Sequence, residues 1–67
     1  MKSLSGRELA RLVEQHGWRL LRINGSHHIY GRPDSDVRLS IPIHGNKALK
    51  IGLLRHLAKL AGVSLPE

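Results

Sequence analysis

Two adjacent histidines are the residues of this 67-residue sequence best suited to chemistry. His27 and His28 follow the segment INGS, whose Asn-Gly pair is a strong signal for a β-hairpin turn. Imidazole can accept or donate a proton near neutral pH. Neighbouring side chains of a strand point to opposite faces, so His27 shares a face with Ile29 and His28 shares the other with Tyr30. We therefore expect the two histidines to be alternatives and not joint ligands of one metal ion.

The charge of the sequence indicates an anionic partner. Eleven Lys and Arg residues stand against five Asp and Glu residues, which gives a formal net charge of +6. A positive potential over so small a body attracts polyanions such as nucleic acid. RNA is a substrate that a single histidine could cleave. The 2′-hydroxyl of the RNA supplies the nucleophile, and nearby cations can stabilise the phosphate without a metal ion.

Three functions follow from these residues: RNA cleavage, RNA binding without catalysis, and an adaptor for an acidic protein. A hairpin histidine taken alone is more often structural or solvated than catalytic, and the residues by themselves favour that plainer interpretation.

Several classes of site are not expected. The sequence contains no cysteine, which excludes disulfides and thiolate zinc sites and favours a reducing, cytoplasmic setting. The other histidines, His16, His44 and His56, lack the spacing of metal ligands, so we expect neither a metal ion nor a cofactor. The absence of an export signal and of a long apolar run predicts no membrane association. A chain of this length is expected to form one domain, residues 1–67, without a deep cofactor cleft.

The first element is a helix predicted over residues 6–16. Ser5 and Glu8 have the spacing of a capping box, in which each side chain satisfies the backbone N–H of the other residue. The apolar residues Leu9 and Val13 fall on one face, and we expect His16 to continue that face. Gly17 is a natural residue to follow the end of the helix.

Three strands and a second helix follow. The Asn24-Gly25 pair predicts a type I′ turn between strands near residues 18–23 and 26–32. The turn residues RPDSD then lead to a third strand at 37–41, and Gly62 ends a helix at 51–61. The order α-β-β-β-α predicts an α+β domain, with a three-stranded antiparallel sheet and both helices packed on one face.

Three conspicuous residues are expected to be structural or solvated. Trp18 follows the end of the first helix, and we expect it to pack between helix and sheet. Tyr30 can either pack or stack on a nucleobase, and packing is favoured. His56 lies on a basic helix and should be exposed.

Three segments together resemble the HicA family, the toxins of HicA–HicB toxin–antitoxin systems. They are SGRELARLVEQHGW, NGSHHIYGRP and IPIHGNKALKIGLLRHLAKLAGVS, and the similarity extends over residues 4–64. The resemblance implies a double-stranded-RNA-binding-domain-like fold. It also implies a metal-independent mRNA interferase that inhibits translation and is blocked by a HicB-type antitoxin.

The resemblance also suggests which residues act. The catalytic histidine of the family lies in a Gly-Ser-His motif, which here gives His27. Some members place an asparagine after the serine, which makes His28 the second choice. Gly25 and Ser26 would shape the turn that presents the histidine.

Four further residues are candidates for binding RNA phosphates, on the basis of their charge and their position in the pattern. Such residues are about as often solvated side chains without a function as they are phosphate ligands. The candidates are Lys47, Lys50, Arg22 and His44.

Overall fold

The fold was determined from a computed structural model that describes residues 3–66. The elements, in chain order, are α1 (Gly6–Gln15), β1 (Arg19–Asn24), β2 (His27–Arg32), β3 (Ser35–Pro42) and α2 (Ile51–Ala61). The strands form one antiparallel sheet in the order β1-β2-β3, and both helices contact β3. The predicted α+β architecture is confirmed. Within the described residues no helix is long and apolar enough to cross a membrane.

Helix α1 begins at the predicted capping box. The Ser5 Oγ accepts a hydrogen bond from the Glu8 backbone N–H at 3.1 Å, and the Glu8 carboxylate accepts one from the Ser5 N–H at 2.9 Å. The helix ends one residue earlier than predicted, with His16 as its C-cap and Gly17 at φ 90°. His16 does not continue the buried face. Its ring is exposed, and Nδ1 lies 3.0 Å from the carbonyl oxygen of Leu12. In this position the ring can hydrogen-bond to a carbonyl group of the last helical turn.

The core lies between the sheet and the two helices. Trp18 is buried as predicted, and its indole N–H donates to the carbonyl of Ala61 at 3.0 Å. The guanidinium of Arg32 lies 4.5 Å from the centre of the Trp18 ring, a cation–π contact. Burying an aliphatic side chain completely contributes about 1.5–3 kcal/mol. The aliphatic side chains with no exposed surface are Leu9, Val13, Leu39, Ile41 and Leu54.

A close backbone approach anchors α1 to the end of β3. A Cβ atom at Gly6 would collide with the carbonyl oxygen of Pro42 and would crowd the side chain of Ile43. Only glycine permits this approach. The first turn of α1 is therefore held beside the end of the sheet at which the hairpin lies.

The hairpin turn differs from the prediction by one residue. Asn24 pairs directly with His27, so the two turn residues are Gly25 and Ser26, and the type I′ turn predicted at Asn24-Gly25 is wrong. Gly25 has φ 62°, whereas no described residue other than glycine has a positive φ. A two-residue turn of type II′ requires a positive φ only at its first central position, and Gly25 provides it. Strand β2 consequently begins at His27.

Candidate active site

The two adjacent histidines lie on opposite faces of the sheet, as strand alternation predicts. His28 pairs with Ile41, and Tyr30 pairs with Leu39. Residues paired across antiparallel strands share a face, and Tyr30, Leu39 and Ile41 are all buried in the core. His28 therefore lies on the inner face, towards the helices. His27 lies on the outer face, which no helix covers, and its ring is exposed.

A hydrogen bond orients His27 on the outer face. Its Nδ1 atom lies 2.9 Å from the hydroxyl oxygen of Ser40, which is also exposed. Ser40 pairs with Ile29 of β2 and so shares the outer face with His27. When the serine oxygen accepts the bond, the proton resides on Nδ1 and the lone pair on Nε2, where a substrate can approach.

Ser40 was not among the candidates from the sequence. The alternation of β3 places it on the solvent face, but that pattern alone gives no partner. Only the register of β2 against β3 brings it to His27.

The outer face also carries one of the predicted phosphate-binding residues. Arg22 pairs with Ile29, and Asn24 pairs with His27, so Arg22 lies two residue pairs along the sheet from the histidine, at the next pair on the same face. Arg22 is exposed. A guanidinium in this position can reach a phosphate bound over the same surface.

The other three phosphate-binding candidates lie together in a second feature. His44, Lys47 and Lys50 line a shallow groove of about 210 Å³ between the loop after β3 and the start of α2. The backbone N–H of Lys47 donates to the carbonyl of His44 at 3.0 Å and shapes the loop. The Ser26 hydroxyl lies 3.5 Å from Nε2 of His44, a weak contact that joins this groove to the hairpin turn.

The surroundings of His28 are different. It lines a cleft of about 250 Å³ beside α1, together with Arg11, Glu14 and Tyr30 among others. The phenol of Tyr30 donates to the Glu14 carboxylate at 2.6 Å. Burial raises the pKa of Tyr30 well above its ordinary value of 10.0, and the hydrogen bond and charge of Glu14 raise it further. Tyr30 is therefore a protonated packing residue, in agreement with the prediction.

The last residue considered in the sequence, His56, lies on α2 and not on the hairpin that carries His27 and His28. His56 is exposed on α2, as expected. In the region from residue 3 to residue 66, no three His, Cys, Asp or Glu side chains are grouped so that they could hold a metal ion.

These features define a small basic protein of α+β, double-stranded-RNA-binding-domain-like fold, with an exposed histidine on the open face of its sheet. The chain belongs to the HicA family: residues 6–63 match the family described as "HicA toxin of bacterial toxin-antitoxin". A comparison with curated proteins finds no match. The matched range contains α1, the hairpin, the loop groove and α2, and it confirms the resemblance noted in the sequence.

Proposed function

We propose that this HicA-type toxin is an endoribonuclease that cleaves RNA without a metal ion by general acid–base catalysis, in which His27 is the base and water supplies the acid. The observation that carries the proposal is the hydrogen bond between His27 Nδ1 and Ser40, on a face of the sheet open to solvent. It leaves Nε2 directed away from Ser40 and available to a substrate. His28 is less accessible, since it lies half-buried in the cleft beside α1.

The reaction begins with proton transfer to His27. Nε2 accepts the proton of an RNA 2′-hydroxyl, and the oxygen attacks the adjacent phosphorus. The bond from phosphorus to the 5′-oxygen breaks, and that oxygen leaves with a proton from solvent. The products are a 2′,3′-cyclic phosphate and a 5′-hydroxyl end, and His27 returns its proton to water.

Ser40 acts through His27 as a positioning residue. Once Nε2 has accepted a proton, both ring nitrogens are donors, and the Nδ1–H can still donate to the Ser40 oxygen. The hydroxyl thus holds the ring in one orientation before and after proton transfer. Holding a catalytic group in place removes the entropic cost of aligning it in each turnover.

Charge supplies the second part of the mechanism. Arg22 lies on the same face as His27, and His44, Lys47 and Lys50 line the groove beyond the turn. We infer that Arg22 contacts the reacting phosphate or its neighbour and that the groove binds a further phosphate of the same strand. Such contacts place the RNA backbone across the outer face without reading its sequence.

The cellular role follows from the same site. Cleavage of mRNA inhibits translation, and a HicB-type antitoxin is the partner that holds the activity in check. A toxin with a net charge of +6 is well matched to an acidic antitoxin.

Product analysis tests the proposal. Purified protein is incubated in EDTA with a defined RNA and with a matched oligonucleotide in which the nucleotide 5′ to the cleaved bond is 2′-deoxy. We expect a cyclic phosphate product from the RNA and no cleavage at the deoxy position, because the nucleophile is missing there. His27→Ala should abolish cleavage, whereas His28→Ala should retain it.

Two outcomes would redirect the interpretation. If His28→Ala abolishes cleavage and His27→Ala does not, the active residue lies on the inner face. If the wild-type protein binds RNA in a salt-dependent way but cleaves none, it is a non-catalytic RNA-binding module of the same fold.

A further inference from the structure

Strand β1 is unusually exposed for a strand that carries large apolar side chains. It forms one edge of the sheet, and all six of its residues are exposed. Leu20, Leu21 and Ile23 have 44%, 53% and 57% of their surfaces accessible. Three apolar side chains this exposed on one short edge strand are surface of the kind that partner proteins cover.

The opposite edge of the sheet carries less exposed apolar surface than β1: its one exposed large apolar residue, Val37, has 38% of its surface accessible. Strand β3 is also an edge strand, but both helices contact it and its Leu39 and Ile41 are completely buried. The helical layer is therefore centred on β3, and β1 lies at its margin, where Leu20 lines the cleft beside α1. An edge strand that is left uncovered presents backbone N–H and C=O groups to which another strand can pair.

An irregularity in β1 distributes its apolar residues over both faces. Leu20 pairs with Tyr30 and Ile23 with His28, which puts both on the inner face. The register shifts between Leu20 and Arg22, and Leu21 turns outward to lie over Gly31. A strand added beside β1 would therefore find apolar contacts on both of its own faces.

Charge decides what kind of strand fits. Arg19 and Arg22 are the only charged residues of β1, and the whole chain has a net charge of +6. Pairing β1 with β1 of a second copy would bring four arginines together and join two strongly positive bodies. Like charges opposite one another on paired strands are destabilising, whereas opposite charges stabilise the pair.

We propose that β1 is the docking edge for an extended acidic segment of a partner protein, which adds a fourth strand to the sheet. Backbone hydrogen bonds would supply general affinity, and alternating acidic and apolar side chains would meet the arginines and the exposed leucines. The proposal rests on the antitoxin partnership proposed above and specifies its chemistry. It does not depend on RNA cleavage or on His27.

Peptide titration tests this without RNA. The ¹⁵N-labelled protein is titrated with an eight-residue peptide that alternates glutamate with valine. Two matched peptides serve as controls, one with lysine in place of glutamate and one with alternate backbone amides N-methylated. We expect saturable amide shifts at residues 19–24 with the acidic peptide, and none at β1 with either control, because N-methylation removes the strand hydrogen bonds while leaving the charge.

Charge reversal sharpens the test. The double variant Arg19→Glu/Arg22→Glu should reverse the preference, so that it binds the lysine peptide about three- to tenfold more tightly than the acidic one. The matched control, Arg55→Glu/Lys59→Glu, makes the same charge change on exposed positions of α2 and should keep the acidic preference.

Three results would overturn the proposal. One is the absence of shifts at β1 at millimolar acidic peptide, and another is equal binding of the N-methylated peptide. The third is a concentration-dependent shift of the β1 amides without any peptide, which would make a second copy of this chain the occupant. Each of these leaves the RNA cleavage assay unaffected, so the two proposals fail separately.

Discussion

His27 and His28 are neighbours in the chain, yet they lie in two unlike regions of the molecule. His27 is on the outer face, hydrogen-bonded to a serine and open to solvent. His28 is on the inner face, half-buried in a cleft shared with the Tyr30–Glu14 hydrogen bond. The same side chain is thus exposed on one face and half-buried beside α1 on the other.

The comparison shows that two residues of the same type differ in their exposure and in the side chains around them, and that these differences distinguish the proposed catalytic histidine from the structural one. Polar groups of the inner face are used to hold α1 against the sheet, since Tyr30 of β2 donates to Glu14 of α1. On the outer face His27 is hydrogen-bonded to Ser40 of the neighbouring strand, and no helix is involved. Each of the following predictions compares the two faces or tests one of them.

The largest expected effect separates the histidines directly. His27→Gln should lower the rate of RNA cleavage by roughly 10²- to 10⁴-fold, because it removes the proton acceptor. His28→Gln should leave the rate within about threefold of the wild type, a change of under 1 kcal/mol in the barrier. Single-turnover cleavage measures both, with circular dichroism as the control for folding. Equal losses in the two variants would contradict the distinction between the faces.

The second effect concerns the orientation of His27. Ser40→Ala should lower kcat by about tenfold with little change in KM, since a positioning bond of about 1.4 kcal/mol is lost. Ser40→Thr keeps the hydroxyl and should restore most of the activity. Long-range ¹⁵N spectra of the His27 ring should show less of the Nδ1–H form in the alanine variant. Ser64→Ala, at an exposed position on the chain after α2, is the matched control and should change neither reading.

The third effect belongs to the inner face. Tyr30→Phe should reduce the free energy of unfolding by about 1 kcal/mol at pH 7, because Glu14 loses its donor. The folded-state pKa of Tyr30 is raised, so the unfolded chain releases the phenol proton first, and this contribution to stability decreases as pH rises above the ordinary value of 10.0.

Urea unfolding at pH 7 and above pH 10 checks both statements. The stability difference between the wild type and Tyr30→Phe should narrow at the higher pH, and RNA cleavage at pH 7 should be retained. A difference that stays constant across this range would show that Tyr30 does not titrate differently in the folded protein.

The smallest effect concerns the groove. Lys47→Gln and Lys50→Gln should each weaken binding of a 2′-deoxy-blocked RNA a few-fold and reduce the slope of log affinity against log salt by about 0.7. Lys59→Gln, on the last turn of α2, is the matched control and should leave the slope unchanged. Unchanged slopes in the groove variants would remove the groove from the RNA path.

The helices and the alternation of the strands were predictable because their causes are local. The capping box of Ser5 and Glu8 lies within four residues, and the left-handed Gly62 ends α2 where predicted. The opposite orientation of His27 and His28 follows from strand geometry alone. The hairpin turn was misplaced by one residue, because Asn24-Gly25 and Gly25-Ser26 are both acceptable turn pairs and cross-strand pairing decides between them.

Other features depended on long-range contacts. Ser40 joins His27 across thirteen positions, and Tyr30 joins Glu14 across sixteen. The exposure of β1 could not be predicted from sequence patterns, because Leu20, Leu21 and Ile23 are residues typical of a buried strand. Their exposure results from the position of the helices over β3.

The sequence by itself determined the order of elements, the positive charge, the presence of a proton-transfer group beside a turn and the family resemblance. These follow from propensity, periodicity and composition, which act over a few residues. Only the tertiary structure decided that His27 faces solvent with Ser40, that His28 faces α1, and that β1 lies at the margin of the helical layer. Those outcomes depend on strand register and on the position of the helices, which are set by packing between residues far apart in the chain.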